Sequence, residues 1–150
     1  MKKGFTLIEL IITVAIVGVL SSIVMFSVNV YLSKGKDANI SSNLAVLIPA
    51  GEVYYTGNGS YLDFCDPDEN SILSNSYDQM PFPTENQNCS GGLTSGLCCF
   101  VNVAGDAWAA CAQKFSGENT AFCVDSRGVR RDITNDQCIS LNTQSPLQCP

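Results

Sequence analysis

The first third of the chain carries a long apolar run that is almost free of charge. Residues 10–33 contain no Asp, Glu, Lys or Arg, whereas Lys2 and Lys3 precede the run and Glu9 lies at its start. These 24 uncharged residues are enough to cross a hydrocarbon core of about 30 Å as an α-helix, at about 1.5 Å per residue. We therefore predict a membrane-spanning helix whose amino terminus, marked by the two lysines, faces the cytoplasm.

A cleaved secretory signal peptide is the ordinary alternative for an apolar segment at this position. The apolar core of a signal peptide is usually about 7–15 residues long and ends at a small-x-small cleavage site. The run here is longer, no such site interrupts it, and the acid Glu9 has no role in a signal peptide. The pattern favours a helix that the protein retains.

Beyond the run, apolar and polar positions alternate with the period of an amphipathic helix. The apolar or small positions recur every three or four residues, at Ile40, Leu44, Leu47, Gly51, Tyr54 and Tyr55. We predict one helix over about residues 5–55, ending at the Gly-Asn-Gly of residues 57–59. Pro49 removes one helical hydrogen bond, so we expect a kink between residues 45 and 49.

Residues 57–150 show short strand patterns separated by turn signals. Residues 61–97, rich in Asp, Asn, Pro, Ser and Gly, are predicted to be a long loop. Strands are predicted at 98–103, 107–113 and 120–125, with a fourth from Val129. Gly128 supplies the positive φ of a hairpin between the last two strands. The expected fold class is α+β, with a long amino-terminal helix packed on a small antiparallel sheet.

Eight cysteines, all in the last 86 residues, divide the chain between two environments. They are Cys65, Cys89, Cys98, Cys99, Cys111, Cys123, Cys138 and Cys149. Cysteines at this density indicate disulfides in an oxidising compartment, which staple a domain whose core is thin. Eight cysteines allow 105 pairings, and the sequence does not select one. Since Cys98 and Cys99 are adjacent on a strand, they face opposite sides and should bond to different partners.

The composition argues against catalysis and against a metal or cofactor site. No histidine is present, which excludes Ser-His-Asp and Cys-His nucleophile systems and histidine-containing metal sites. No C-x-x-C pair is present either, which argues against zinc and thioredoxin-like redox sites. The net charge of −6 gives no electrostatic basis for general coating of nucleic acid. We predict that the protein is not an enzyme.

Glu9 is the residue of the apolar segment that most needs an explanation. A carboxylate inside a membrane helix costs about 2.5–3.5 kcal/mol at mid-bilayer, less near the interface, and usually has a partner. Cleavage between Gly4 and Phe5 would create an α-amine one helical turn away from this carboxylate. Glu9 could then pair with the amine of a neighbouring chain and fix the axial offset between subunits. The alternative is an interfacial glutamate on a plain single-pass anchor.

The sequence Gly4-Phe5-Thr-Leu-Ile-Glu9, preceded by lysines and followed by the apolar run, resembles the amino-terminal signature of type IV prepilins and of the related pseudopilins. The resemblance implies that a prepilin peptidase removes residues 1–4 and methylates the Phe5 amine. It also implies a pilin-like division into a membrane and assembly half of the helix (5–33), an amphipathic half (34–56) and a cysteine-rich β domain (57–150). Because pilins often carry a disulfide-bound carboxy-terminal loop, a Cys138–Cys149 bond is the first pairing to expect.

The leading interpretation is a structural subunit of a type IV pilus-like filament. The subunit would be stored in the inner membrane with its carboxy-terminal domain outside the cytoplasm, and would then assemble into a surface filament. Its expected partners are other pilin subunits, the prepilin peptidase, the pilus assembly machinery and membrane lipid before assembly. Two alternatives stay open: a pseudopilin of a type II secretion or DNA-uptake machine, and a single-pass anchor that displays a disulfide-rich binding module.

Three smaller sets of residues have two interpretations each. The first set could bind calcium or be solvated, and it consists of the loop acids Asp63, Asp66, Asp68 and Glu69. The second set consists of Arg127, Arg130 and Arg131. These arginines could capture DNA, although such residues are more often solvated or paired with acids. Three asparagines fit the N-x-Ser glycosylation motif, and they are Asn39, Asn58 and Asn88.

Overall fold

One long helix, α1, spans Leu7–Asn58 and contains both the apolar run and the amphipathic segment that follows it. The computed structural model describes residues 4–66, 71–83, 96–117 and 119–150. The chain forms two compact units, which are divided in sequence between Ser33 and Lys34.

The first unit exposes its apolar side chains. Every residue from 4 to 32 whose side chain is described is exposed, and the most apolar stretch of α1 has a mean hydropathy of 2.6. By length and composition this helix could cross a membrane. Apolar side chains in water are unfavourable, and a surface of this size normally marks contact with lipid or protein.

The carboxy-terminal end of α1 agrees with its glycine signal. The helix ends at Asn58, and Gly59 follows with φ of +70°. The Gly59 N–H donates to the Tyr55 carbonyl at 2.7 Å, which satisfies a terminal carbonyl of the helix. The predicted stop at residues 57–59 is confirmed. Pro49 is exposed and lies inside the helix without interrupting it.

The second unit is built on the predicted apolar face of α1. Ile40, Leu44 and Leu47 are fully buried, as predicted, and Ala50 joins them. Tyr55 departs from the prediction, because it is 40% exposed.

The predicted long loop over 61–97 is wrong in part, because residues Ser71–Gln79 form a helix, α2. Leu73, Ser76 and Met80 are buried at spacings of three and four, so this segment has a helical packing face. The face was missed because its polar Asn and Ser content resembles that of a loop. Residues 84–95 lie outside the described part of the chain.

Four antiparallel strands form one sheet in the order β1-β2-β3-β4. Their bounds are Leu97–Val101 for β1, Trp108–Gln113 for β2, Thr120–Asp125 for β3 and Arg130–Thr134 for β4. Gly128 has φ of +79° in the turn between β3 and β4, which confirms the predicted hairpin. The α+β class and the antiparallel sheet are confirmed.

Two apolar cores lie on opposite faces of the sheet. The first contains the buried face of α1 together with Phe64, Trp108 and Val124. The second contains Cys111 and Cys123 of the sheet and the segment that follows β4. That segment begins with a short helix, α3, which spans Asn135–Ile139, and continues as a 3₁₀ turn over Leu141–Thr143.

Three disulfides join described residues: Cys65–Cys99, Cys111–Cys138 and Cys123–Cys149. The expected Cys138–Cys149 bond is therefore wrong. The reason is that the segment after β4 lies across the second face of the sheet, so that each of its cysteines meets a strand cysteine. Cys98 and Cys99 belong to opposite cores, which confirms that they face opposite sides. Cys89 lies outside the described residues.

Candidate functional site

The amino end of α1 is closed by a reciprocal pair of hydrogen bonds between Thr6 and Glu9. The Thr6 N–H donates to Glu9 Oε2 at 2.9 Å, and the Thr6 hydroxyl donates to the same oxygen at 2.7 Å. The Glu9 N–H donates in turn to Thr6 Oγ1 at 3.3 Å. This is a capping box, which satisfies donors that the first turn of a helix otherwise leaves unpaired.

The capping box holds the Glu9 carboxylate at the start of the exposed apolar helix. Both bonds that it accepts are made to Oε2, and within the described ranges no hydrogen bond is made to Oε1. Gly4 and Phe5 precede the helix, and the Phe5 side chain is exposed. The three residues singled out in the sequence thus lie within six consecutive positions, with one carboxylate oxygen open to a partner.

The sequence carries a signal for this cap that was not among the predictions above. Thr6-Leu-Ile-Glu9 fits the [ST]-x-x-[DE] capping pattern that precedes an apolar run. The same glutamate therefore has a local role in its own chain, apart from any role between chains.

Asp37 is a buried carboxylate that sequence reasoning missed. It is 6% exposed and lies on α1. Its Oδ1 accepts the N–H of Phe115 at 2.6 Å, and its Oδ2 accepts the N–H of Ser116 at 3.2 Å. Asp37 thereby ties α1 to the turn that follows β2.

Asp125, at the end of β3, is a second carboxylate without exposed surface. Its Oδ1 accepts the N–H groups of Arg127 and Val129, at 3.0 and 3.2 Å. Its Oδ2 accepts the Arg127 guanidinium at 2.8 Å and the Cys149 N–H at 3.1 Å. This carboxylate links the β3–β4 hairpin to the carboxy-terminal segment.

The arginine cluster is largely engaged within the chain. Arg127 pairs with Asp125, and the Arg131 guanidinium donates to the Pro150 carbonyl at 2.6 Å. Arg130 is exposed. With two of the three cations already bonded, the cluster offers less free charge to a polyanion than the sequence suggested.

The other candidate ligand sets show no assembled site within the described residues. Of the four loop acids, Asp63 and Asp66 are described, whereas Asp68 and Glu69 lie outside the described residues. The sulfurs of Cys98, Cys111 and Cys138 lie within 4.8 Å of one another. All three are in disulfides, which leaves no thiolate to bind a metal. Among the glycosylation motifs, Asn39 and Asn58 are on α1, and Asn88 lies outside the described residues.

Comparison with known proteins finds one family model and several relatives. Residues 1–25 match the family described as the prokaryotic N-terminal methylation motif. The chain is 35% identical over 63 residues to the type IV major pilin protein PilA of Myxococcus xanthus (strain DK1622), a match that covers 42% of this chain and 29% of that protein.

Two Moraxella proteins give further matches. A type IV major alpha-pilin of Moraxella bovis is 46% identical over 44 residues, which are 29% of this chain and 28% of that protein. A fimbrial protein of Moraxella nonliquefaciens is 25% identical over 133 residues, which are 84% of this chain and 80% of that protein. By these matches the chain is similar to type IV pilins. No solved structure matches it.

The likeness to type IV pilins agrees with the two features described above. The methylation motif includes the Gly4, Phe5 and Glu9 cluster, and the α+β unit that follows has the long helix and the antiparallel sheet of a pilin. The two major pilins match less than a third of their own length, so the likeness to them is confined to a part of each protein.

Proposed function

We propose that this pilin is a structural subunit of a type IV pilus-like filament. It is made as a membrane-anchored precursor, cleaved after Gly4, methylated at the Phe5 amine and then polymerised. The observation that carries the proposal is the Glu9 carboxylate, held by Thr6 at the head of an exposed apolar helix inside the methylation motif. The pilin names of the relatives support the same function.

The exposed apolar half of α1 serves two states of the subunit. Before assembly its side chains contact lipid, and in the filament they pack against the same helix of other subunits. After the subunit leaves the membrane, burial of apolar area favours the packing of these helices in the filament. The contacts are head-to-tail and do not close, so they extend into a fibre.

Glu9 sets the position of each new subunit. After cleavage the Phe5 amine is a cation, and the open Oε1 of Glu9 accepts it from a neighbouring subunit, while Oε2 keeps its bonds to Thr6. The pair neutralises two charges that would otherwise be buried alone in an apolar filament core, where an unpaired charge is costly.

The experiment compares two changes at one position, scored as the amount of chain in a sheared surface fraction. Glu9→Ala removes both the cap and the charge, whereas Glu9→Gln keeps an oxygen for the cap and removes only the charge. Both variants should lower filament yield at least tenfold while the processed chain accumulates in membranes. A wild-type filament yield from Glu9→Gln would contradict the pairing role. If the yield fell only in Glu9→Ala, the role of Glu9 would be helix capping.

The intact mass of the sheared chain tests the processing step. A chain that begins at methylated Phe5 in this fraction supports the proposal, and a chain that still begins at Met1 in cells with an active prepilin peptidase contradicts it. The alternatives are separated in the same experiment. A processed chain confined to membranes is the result expected of a pseudopilin, and an unprocessed one is expected of an anchored binding module.

The proposed partners follow from these steps. They are other pilin subunits, the prepilin peptidase, the pilus assembly machinery and inner-membrane lipid before assembly. Nothing in the arrangement of described residues adds support for DNA, because the arginine cluster is mostly bonded within the chain.

A further inference from the structure

Two exposed lysines and an aromatic ring lie together at the beginning of the second unit. Lys34 and Lys36 follow the apolar run directly and are exposed. The Lys36 ammonium lies 4.4 Å from the ring centroid of Phe115. Phe115 itself is partly buried, and Ser116 beside it is exposed. Cations next to an aromatic side chain are the composition of surfaces that lie at a lipid headgroup layer.

The turn that carries Phe115 is held firmly at this place. The buried Asp37 carboxylate accepts the N–H groups of Phe115 and Ser116, and Asp37 is the residue after Lys36 on α1. A buried carboxylate that accepts two backbone N–H groups is costly to pull away from them. The turn therefore stays next to the first helical turn of the second unit.

The short distance along the chain between the apolar run and the lysines favours a position at the headgroups. The uncharged run ends at Ser33, so Lys36 lies about 4.5 Å further along the helix at about 1.5 Å per residue. The polar layer on each side of a bilayer is about 5–7 Å thick, given a core of about 30 Å within a total of about 40–45 Å. When the run spans the membrane, we expect Lys34 and Lys36, which follow its last uncharged residue by one and three positions, to come level with the lipid phosphates.

The local charge differs from that of the chain as a whole. The full chain has a net charge of −6 and would be repelled by an anionic surface. Neither Lys34 nor Lys36 forms a salt bridge with any residue that the structure describes. Asp37 is the acid next to Lys36 in the sequence, and its buried carboxylate accepts the N–H groups of Phe115 and Ser116. Lys34 and Lys36 are thus exposed, whereas the adjacent carboxylate is buried.

We propose that Lys34, Lys36 and Phe115 form a lipid-docking surface that binds the phosphate groups of anionic phospholipids in the membrane-stored subunit. The lysines contact the phosphates, and the Phe115 ring lies against the glycerol and upper acyl region. The surface keeps the Phe115 turn on the membrane until extraction. The proposal rests on the membrane-stored state of the proposed function, and it does not require that the subunit polymerises.

The test uses the full chain, with its amino-terminal residues, inserted in lipid nanodiscs. The Phe115→Trp variant provides a fluorescent ring at the surface, and the parent chain, whose single Trp108 is buried, provides the background. Phospholipids brominated near the glycerol quench a ring that lies at this depth. Quenching of the new tryptophan should be at least twofold greater in phosphatidylcholine with 30% phosphatidylglycerol than in phosphatidylcholine alone, and it should decline as salt is raised.

A matched pair of variants tests the lysine contribution. Lys34→Ala and Arg130→Ala, each added to Phe115→Trp, remove one exposed cation, but only Lys34 lies in the docking surface. Lys34→Ala should reduce the quenching by half or more, and Arg130→Ala should leave it unchanged.

Three outcomes of the quenching measurements overturn the proposal. Absence of quenching in every lipid would show that the turn does not reach the membrane. Equal quenching with and without phosphatidylglycerol, or equal effects of the two variants, would refute recognition of anionic phosphate. A normal docking result together with loss of sheared filaments would count against the proposed function alone, because the nanodisc measurement involves no polymer.

Discussion

The substitution Asp125→Asn should destabilise the second unit strongly, although it changes one oxygen to a nitrogen. The carboxylate has no exposed surface and accepts four hydrogen bonds, from the Arg127 and Val129 N–H groups, the Arg127 guanidinium and the Cys149 N–H. An asparagine can keep the two bonds to its oxygen. Its amide nitrogen then faces the other two donors, which lose their acceptor.

The magnitude follows from the fate of those two donors. Cys149 is buried, so its N–H is left without water or protein, at a cost of about 1–3 kcal/mol. The Arg127 side chain is 53% exposed and can turn to solvent, which limits its loss to about 0–1 kcal/mol. We expect the free energy of unfolding to fall by about 1–4 kcal/mol.

The assay is guanidinium unfolding of the full chain in detergent, with disulfides intact, followed by the fluorescence of Trp108. The matched control is Asp132→Asn, whose side chain is 60% exposed and pairs with Lys114 at the surface. This control should lose about 0–1 kcal/mol. A loss at Asp125 that is no larger than the loss at Asp132 would refute the reasoning, provided that the dependence on denaturant is the same for both.

Two further changes test the helix packing and the pH response of the same unit. In Gly51→Ala, the new Cβ would lie 2.6 Å from Trp108 Nε1. This overpacking should lower the free energy of unfolding by about 1–3 kcal/mol and shift the Trp108 emission. An unchanged midpoint of denaturant unfolding would show that the ring has room to move. Burial, with the nearby Glu52 charge, raises the pKa of Tyr61. The corresponding stability is present below the ordinary tyrosine pKa of about 10 and is lost as pH rises through the higher pKa of the folded state. When pH is raised from about 9 to about 11, Tyr61→Phe should therefore lose less stability than the parent chain in denaturant titrations, and identical alkaline slopes would contradict this.

The elements with strong local signals could be predicted from the sequence. The helical face of Ile40, Leu44 and Leu47 repeats over several turns, and the glycines after it give a stop that lies within one residue of the observed end. The hairpin at Gly128 depends on a single backbone requirement that glycine meets. In each case the deciding interaction lies within a few residues of the signal.

The disulfide pairing could not be predicted, because it depends on where the carboxy-terminal segment lies in space. Cys111 and Cys123 are opposite each other on adjacent strands of one face. Cys138 and Cys149 then lie over this face, and each bonds to one of the strand cysteines. A local loop between the last two cysteines is equally compatible with the sequence, and only the packing of the segment on the sheet excludes it.

Three carboxylates of this chain show that an interaction becomes harder to predict from sequence as the number of residues between its partners grows. Glu9 bonds to Thr6, three residues away, and a known motif describes that spacing. Asp125 accepts from residues two and four positions ahead, which resembles an Asx turn, but its bond to Cys149 crosses 24 residues. The Asp37 carboxylate accepts only across 78 and 79 residues, from backbone groups that any sequence possesses. An aspartate of this last kind cannot be distinguished from a solvated one in the sequence, because the feature that buries it is the fold itself.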